Sequence, residues 1–187
     1  MHQDSWSLKA KKMGYRSRAV FKLEEILVKL HKNQINKLLD LGSAPGGWSQ
    51  FIINKYPHSK IIAIDILHME PIDGVQFIKK NIEDIDSIQL INSQKGKFDL
   101  VISDIAPNLT GISAVDNENI YELNKITINL ANIYLSEANS AVVIKTFQNN
   151  NFKSLKKEME LFFKIVQTYK PAASKNKSAE TYLYGAR

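Results

Sequence analysis

The stretch that most constrains this fold is residues 38–50, which read LLDLGSAPGGWSQ. Its apolar beginning suits a buried parallel strand, and its glycine-rich middle cannot continue one. After the turn, Trp48, Phe51 and Ile52 recur at helical spacing. The segment therefore predicts a strand, a glycine turn and a helix. That unit binds a small cofactor at the carboxyl end of the first strand of an open α/β sheet.

The order Asp-x-Gly-x-x-Pro-Gly-Gly-Trp makes this turn specific, whereas a bare glycine pair occurs in many proteins that bind no ligand. Gly42, Gly46 and Gly47 can take positive φ and let the backbone approach a ligand closely. Pro45 fixes its own φ and biases Ala44 away from helix, which ends the strand. We therefore predict that the turn holds a cofactor.

The bulk composition of the 187 residues is that of one ordinary globular domain. Cysteine is absent, so neither disulfides nor thiolate chemistry are available. No apolar run is long enough to cross a bilayer, and the N-terminal segment lacks the apolar core of a secretory signal. A trimmed organellar leader stays open as an alternative.

The charge balance is basic, with 25 Lys and Arg against 19 Asp and Glu and a formal net charge of +6. This excess favours an anionic partner such as nucleic acid, although abundant Lys, Asn and Ile also fit AT-rich codon usage. The basic residues concentrate in segments 9–18, close to Trp6 and Tyr15, and 170–177. Basic residues among aromatics suit an RNA backbone and stacked bases; a solvated surface is the alternative for both segments.

Apolar runs alternate with helical patterns along most of the chain, which predicts a doubly wound, mostly parallel sheet. Ser17 is the predicted N-cap of the first helix. The predicted strands are 36–41, 61–64, 75–78, 98–102, 141–144, 163–169 and 182–185, and the predicted helices are 18–30, 47–56, 117–136 and 152–163.

Polar residues follow several of these strands. Asp65 lies 19 positions after Gly46, close to the roughly 20-residue offset of an acidic residue that accepts from a ribose hydroxyl. Asp104 follows the fourth strand, and we expect it to point into the same crevice as Asp65. Lys145 ends the fifth strand, which is unusual for a lysine, although it could also snorkel to the surface. Asn81 follows the third strand, where its amide either contacts an adenine or closes a turn.

The turn lacks the Gly-x-Gly-x-x-Gly order of dinucleotide sites, and its Ser-Ala-Pro segment is a poor seat for a pyrophosphate. An adenosyl cofactor without phosphates fits better, with Asp65 on the ribose and the turn on the amino-acid portion. This indicates S-adenosylmethionine, which leaves as S-adenosylhomocysteine. No His/carboxylate cluster indicates a metal.

Six segments of the chain resemble the FtsJ-type ribosomal RNA 2′-O-methyltransferases. They are, in the family's order from about residue 13 onward, GYRSRAVFKLEEI, LLDLGSAPGGWSQ, AIDILHMEPIDGV, VISDIAPNLTG, VVIKTFQ and SAETYLY. The resemblance implies a Rossmann-like class I methyltransferase fold, an α/β fold with seven strands of which one is antiparallel. The chain length predicts a single domain over 1–187, with 1–17 as a basic N-terminal extension.

The resemblance further implies the site residues. Local context alone would put Lys22 on a solvated helix face and let Lys145 snorkel to the surface; the family pattern overrides both readings. Asn81 departs from the aspartate common in relatives, and Gln148-Asn149 replaces the family's Gln-Gly. The catalytic tetrad falls on Lys22, Asp104, Lys145 and Glu180, and the cofactor positions on Gly42, Ser43, Ala44, Pro45, Gly46, Gly47, Trp48, Asp65, Ile66, Asn81 and Asp104.

The implied activity is S-adenosylmethionine-dependent methylation of a ribose 2′-oxygen, on a uridine of large-subunit rRNA. The alternatives are a tRNA or mRNA-cap 2′-O-methyltransferase, a dinucleotide-dependent oxidoreductase and a non-catalytic RNA-binding module. We expect a monomer that binds RNA of the large ribosomal subunit through 9–18 and 170–177 and no membrane. Its expected location is intracellular, in the cytoplasm or an organelle with its own ribosomes.

Overall fold

The computed structural model describes residues 5–30, 32, 34–108, 110–174 and 178–187. The helices are α1 (Ser5–Lys12), α2 (Ala19–Lys29), α3 (Gly47–Lys55), α4 (Gln89–Asn92), α5 (Ser113–Tyr134) and α6 (Phe152–Glu160), with a 3₁₀ helix at Ile82–Ser87. The strands are β1 (Lys37–Leu41), β2 (Lys60–Asp65), β3 (Val75–Lys79), β4 (Leu100–Ser103), β5 (Ala141–Phe147), β6 (Ile165–Tyr169) and β7 (Glu180–Ala186).

The seven strands form one sheet in the order β3-β2-β1-β4-β5-β7-β6. Strands β1 to β5 pair in parallel, and β7 runs antiparallel to both β5 and β6. The predicted α/β fold with one antiparallel strand is therefore confirmed. The strand order reverses between β1 and β4, and open α/β sheets bind ligands outside the carboxyl ends of the strands at that point.

Apolar side chains pack on both faces of the sheet because successive strand residues point to opposite sides. Leu38 joins the cluster that α2 and α3 cover, whereas Leu39 and Leu41 join the cluster under α5 and α6. Asp40 consequently points to the α2 and α3 side, beneath the glycine turn. None of the helices in the described part of the chain is long and apolar enough to cross a membrane.

Strands β5 and β7 extend beyond their predicted bounds, and both changes affect the site. Strand β5 continues through Phe147, so Lys145 lies within the strand and pairs with Tyr182 of β7. Strand β7 already begins at Glu180, which pairs with Phe147. Antiparallel pairing with β7 extends β5 beyond its apolar run, and a run-based prediction ends too early for that reason.

The start of α2 also differs from the prediction. Its N-cap is Arg18, which makes no side-chain cap hydrogen bond, so the assignment of Ser17 as the cap was wrong. The Ser17 side chain instead lies against Gly47, where a Cβ atom would collide with its hydroxyl oxygen. Strand β4 similarly begins at Leu100 rather than at Phe98, which forms an isolated bridge to Leu135.

The basic N-terminal segment is helical and packed against the domain. Ala10 of α1 is buried, and the Trp6 ring lies 5.3 Å from the Phe21 ring of α2. The Nζ of Lys9 lies over both rings, 4.5 Å from the Phe21 centroid. Such stacking of a cation on aromatic faces orders the segment.

Gly185 of β7 provides the space that α6 needs to approach the sheet. A Cβ atom there would lie 2.6 Å from Cε of Met159 and 2.8 Å from Cγ of Phe163. We expect Gly185→Ala to lower the free energy of unfolding by about 1–3 kcal/mol, because the core must shift to admit a methyl group. Urea unfolding measures this; the exposed Thr168→Ala on β6 is the control, and equal stability of the two variants contradicts the packing argument.

Candidate active site

The four residues of the predicted tetrad meet at the carboxyl edge of the sheet as two ion pairs. The Nζ of Lys22 donates to Oε1 of Glu180 at 2.6 Å, and the Nζ of Lys145 lies 3.1 Å from Oδ1 of Asp104. The Lys145 Nζ also donates to the backbone carbonyl of Asp104. The lysine side chains are only 7% and 10% exposed, so the solvated-face and surface-snorkelling interpretations are wrong.

Tyr182 joins the two pairs and was missed by the sequence reasoning. Its hydroxyl donates to Oδ1 of Asp104 at 3.1 Å, and the Nζ of Lys22 lies 5.8 Å from its ring centroid. Burial, with the charges of Asp104 and Glu180, raises its pKa well above the ordinary value. The hydroxyl therefore stays a neutral donor. Its position two residues after Glu180, on the same face of β7, was the available signal.

Glu180 is ionised at neutral pH. Burial alone raises the pKa of this carboxyl, but the hydrogen bond and charge of Lys22, the Ser174 hydroxyl and the charge of Lys145 outweigh burial. The resulting pKa lies below the ordinary glutamate value. An ionised partner is what a buried lysine requires, because an unpaired buried charge is strongly destabilising.

The glycine turn packs closely against other parts of the chain. Gly42 and Gly46 have φ of 74° and 101°, as predicted, whereas Gly47 is the first residue of α3 and has no positive φ. A Cβ on Gly46 would lie 2.8 Å from Ile72 and 2.9 Å from Met69. The turn therefore needs glycine partly because the loop between β2 and β3 packs against it.

Asp65 ties this turn to the end of β2. Its Oδ2 accepts from the backbone N–H of Ala44 and its Oδ1 from that of Leu67, both at 2.8 Å. Each carboxylate oxygen has a second lone pair, so the group retains capacity to accept from a ligand hydroxyl.

Two adjoining cavities lie beside Asp104, which lines both together with Gly42 and Ala44. The larger, about 390 Å³, extends to Asp65, Ile66, Lys80, Asn81 and Glu83. The smaller lies under the turn. The smaller cavity is lined by Asp40, Ser43, Pro45, Gly47 and Trp48. Every predicted cofactor residue except Gly46 thus lines one of them.

The smaller cavity presents an unsatisfied polar atom. Ser43 is buried, and its Oγ has no hydrogen-bond partner among the described residues. Buried polar groups are nearly always paired, so a polar ligand atom is the natural partner here. Trp48 is buried differently, because its Nε1 donates to the Ala19 carbonyl at 2.7 Å and holds the start of α2.

Asn81 closes a turn, one of the two roles foreseen for it. Its Oδ1 accepts from the Glu83 N–H at 3.2 Å and caps the 3₁₀ helix. The side chain also lines the larger cavity, so contact with an adenine stays a prediction. In contrast to an aspartate, its second side-chain atom is a donor and offers no further acceptor.

Asp116 orders the loop that follows Asp104 and was not foreseen. Its carboxylate accepts from the Thr110 N–H at 2.7 Å, the Thr110 hydroxyl at 2.8 Å and the Gly111 N–H at 3.1 Å. Asn117 and Glu118 next to it bind Asn149 and Asn151 of the β5–α6 loop. The start of α5 therefore holds both loops beside the Lys145–Asp104 pair.

The basic segments are used unevenly. Arg16 is partly exposed, and its guanidinium donates to the backbone carbonyls of Pro45, Glu70 and Pro71. Lys11 and Lys12 are exposed. In the second segment Lys170 donates to the Ser178 carbonyl at 2.9 Å, whereas residues 175–177 lie outside the described residues. Among the described residues, no three His, Cys, Asp or Glu side chains are grouped to hold a metal.

Asp40 is a buried acid beneath the turn. Its Oδ2 accepts from the Ser49 hydroxyl at 2.6 Å. Burial raises its pKa to about 7, opposed by the Ser49 hydrogen bond and reinforced by the charges of Asp104 and Asp65. An unfolded aspartate ionises near pH 4. Between these values the folded state holds a proton that the unfolded state has lost, so stability falls as pH rises.

We expect Asp40→Asn, which keeps an acceptor for Ser49 but cannot ionise, to remove this loss. Its free energy of unfolding, measured by urea titration, should rise relative to that of the wild type as the pH increases from 4 to 7. Above pH 7 the difference between the two proteins should stay constant. The exposed Asp73→Asn is the control. A pH-independent difference for Asp40→Asn contradicts the raised pKa.

The sequence model of the FtsJ-like methyltransferases matches residues 15–187. A protein of Wigglesworthia glossinidia brevipalpis named ribosomal RNA large subunit methyltransferase E is 38% identical over 187 residues, which covers 97% of this chain and 90% of that protein. A protein of the same name from Dechloromonas aromatica is 36% identical over the same shares of the two chains.

A solved structure from Plasmodium falciparum, assigned as a ribosomal RNA methyltransferase, has 29% sequence identity and a TM-score of 0.78, and the match covers 92% of this chain and 98% of that one. The sheet order, the strand-end residues and these matches agree with one another. This chain belongs to the FtsJ-like methyltransferase family.

Proposed function

We propose that this protein transfers a methyl group from S-adenosylmethionine to the 2′-oxygen of a uridine ribose in large-subunit rRNA. The observation that carries the proposal is the pair of lysine–carboxylate contacts, Lys22–Glu180 and Lys145–Asp104, beside a cavity at the switch point of the sheet. The curated relatives are named for methylation of this RNA. The chain acts as one domain over 1–187, with 1–17 as its basic extension.

The charge of the larger cavity supports this cofactor. Its lining contains three carboxylates, Asp65, Glu83 and Asp104, against one basic side chain, Lys80. An acidic lining favours a cation and repels a pyrophosphate. S-adenosylmethionine carries a sulfonium and no phosphate, which distinguishes it from the dinucleotide of an oxidoreductase. When bound, it supplies an activated methyl group.

Residues of the two cavities contact different parts of the cofactor. Asp65 accepts from the ribose hydroxyls of the cofactor, and Ile66 and Asn81 contact its base. Ser43 Oγ, with the backbone of Gly42 to Trp48, binds the polar amino-acid portion. Ser43 is buried and without a partner among the described residues, so it fits this role.

Lys145 orients the attacking 2′-oxygen. Its Nζ already donates to two oxygens of Asp104, and an ammonium has three donors, so one N–H is left for the ribose oxygen. Asp104 in turn is held by the Tyr182 hydroxyl. Fixed geometry of this kind can supply about 7–11 kcal/mol of the barrier reduction. The hydroxyl proton would pass to Asp104 or to water while the methyl–oxygen bond forms and the methyl–sulfur bond breaks, which releases S-adenosylhomocysteine.

The protein acts as a monomer, and RNA is its partner. The RNA reaches the site from the side on which α1 lies. Lys11 and Lys12 are exposed there, and Lys170 lies near the Glu180 end of β7. The protein works where ribosomes are made, in the cytoplasm or in an organelle. A tRNA or cap substrate is the alternative that target mapping separates.

We expect Lys145→Ala to abolish methyl transfer to rRNA, because the orienting donor is lost. Binding of S-adenosylhomocysteine should stay within about twofold, since Lys145 lines neither cavity. Calorimetry measures the binding and radiolabelled methyl incorporation measures the transfer. Lys60→Ala, at the amino edge of the sheet, is the charge control. Normal turnover of Lys145→Ala excludes the proposed role.

We expect RNA binding to weaken steeply with salt, because each lysine–phosphate contact releases counterions. In the double variant Lys11→Ala/Lys12→Ala, the negative slope of log affinity against log salt should become shallower by about 1–2. Lys60→Ala/Lys164→Ala at the opposite edge is the matched control and should leave the slope unchanged. Equal slopes for both pairs would remove α1 from the RNA footprint.

Mapping 2′-O-methyl groups in RNA from depleted cells identifies the target nucleotide. A tRNA target would correct the proposed substrate.

A further inference from the structure

Arg16 occupies an unusual position between the N-terminal segment and the cofactor turn. Its Nη1 donates to the Pro45 carbonyl at 3.2 Å and to the Glu70 carbonyl at 2.6 Å, and its Nη2 donates to the Pro71 carbonyl at 2.7 Å. One planar guanidinium therefore holds three backbone oxygens from two separate loops. Its charge makes these hydrogen bonds stronger than neutral ones.

The two loops lie on either side of Asp65 in the chain. Pro45 belongs to the glycine turn, which lines the smaller cavity, and Glu70 and Pro71 follow the stretch from Asp65 to Leu67, which lines the larger one. Asp65 already bonds to the turn at Ala44. Arg16 adds a second tie between the same loops, at Pro45 and at Glu70 and Pro71, so their separation is set at two points.

The packing at Gly46 shows that this second tie is close-fitting. A Cβ atom on Gly46 would lie 3.2 Å from Nη1 of Arg16, 2.9 Å from Met69 and 2.8 Å from Ile72. Met69 is only 2% exposed. The turn, the Arg16 guanidinium and the loop after β2 therefore pack directly against one another.

The backbone around Arg16 is anchored independently. Its N–H donates to Oε1 of Gln50, and Nε2 of Gln50 donates to the Gly14 carbonyl, both at 3.0 Å. Gln50 lies on α3, outside both cavities. Two attachments thus exist side by side. Gln50 fixes the segment to the domain, and the Arg16 side chain fixes the two cavity loops to each other.

We propose that Arg16 is a positioning residue for the cofactor site, which sets the gap between the glycine turn and the β2–β3 loop. The inference rests on the proposed function, because it takes these cavities as the S-adenosylmethionine site. Arg16 touches no reacting atom in this role. Lysine cannot replace it, because an ammonium is a point charge without the rigid fork that reaches three carbonyls.

The test compares Arg16→Lys, which keeps the charge, with Gln50→Ala, which loosens the segment but leaves the guanidinium in place. We expect Arg16→Lys to weaken S-adenosylhomocysteine binding by about tenfold or more, because three charge-assisted bonds are lost. The KM for S-adenosylmethionine should rise in parallel, while kcat at saturation stays within about twofold. Gln50→Ala should lower the unfolding midpoint but keep the cofactor affinity.

The possible outcomes separate the two proposals. If the wild type binds no S-adenosylhomocysteine by calorimetry, the proposed function fails. If the wild type binds it and Arg16→Lys binds equally well, only the positioning role is overturned. Equal losses of affinity in Arg16→Lys and Gln50→Ala also overturn it, since they would show a general loosening. A fall in kcat with unchanged KM does the same.

Discussion

The pairing of β5 with β7 is the constraint on which the site depends. It places Lys145 opposite Tyr182 and Phe147 opposite Glu180. Because residues two apart on a strand share a face, Glu180 and Tyr182 both reach toward the carboxyl edge. Lys22 then pairs with Glu180 from α2, and Asp104 receives both Lys145 and Tyr182. One antiparallel ladder thereby organises charges that arise far apart in the chain.

Buried charges of this kind are costly unless each has a partner. The two lysines have low exposure and each contacts a carboxylate. Asp40 is the counterexample, since it accepts from Ser49 rather than from a cation and burial raises its pKa to about 7. Two kinds of carboxylate therefore lie at this edge of the sheet. Asp104 and Glu180 each contact a lysine, whereas Asp40 lies next to a serine.

Sequence patterns predicted the sheet, its seven strands and the glycine turn because these depend on local apolar periodicity and turn residues. They did not predict where β5 ends and where β7 begins, because pairing between distant strands decides both positions. The residue pattern of α2 alone predicts that Lys22 is at the surface, because that pattern carries no information about packing against the distant strand β7. Only the resemblance to the family indicated a role in the site. Tyr182 and the three carbonyl contacts of Arg16 were missed for the same reason, because their partners lie far away in the chain. Asp116 was missed although its partners, Thr110 and Gly111, are near in the chain.

The sheet order also constrains how the fold can assemble. Among the strands that the structure describes, β6 pairs with β7 alone, which comes later in the chain and must insert between β5 and β6. Any intermediate without β7 leaves β6 detached, and it also lacks Glu180 and Tyr182. The sheet and the charged site are therefore completed in the same step. A molecule in which β7 has not yet paired exposes unpaired strand edges that are prone to aggregation, and it cannot catalyse the reaction.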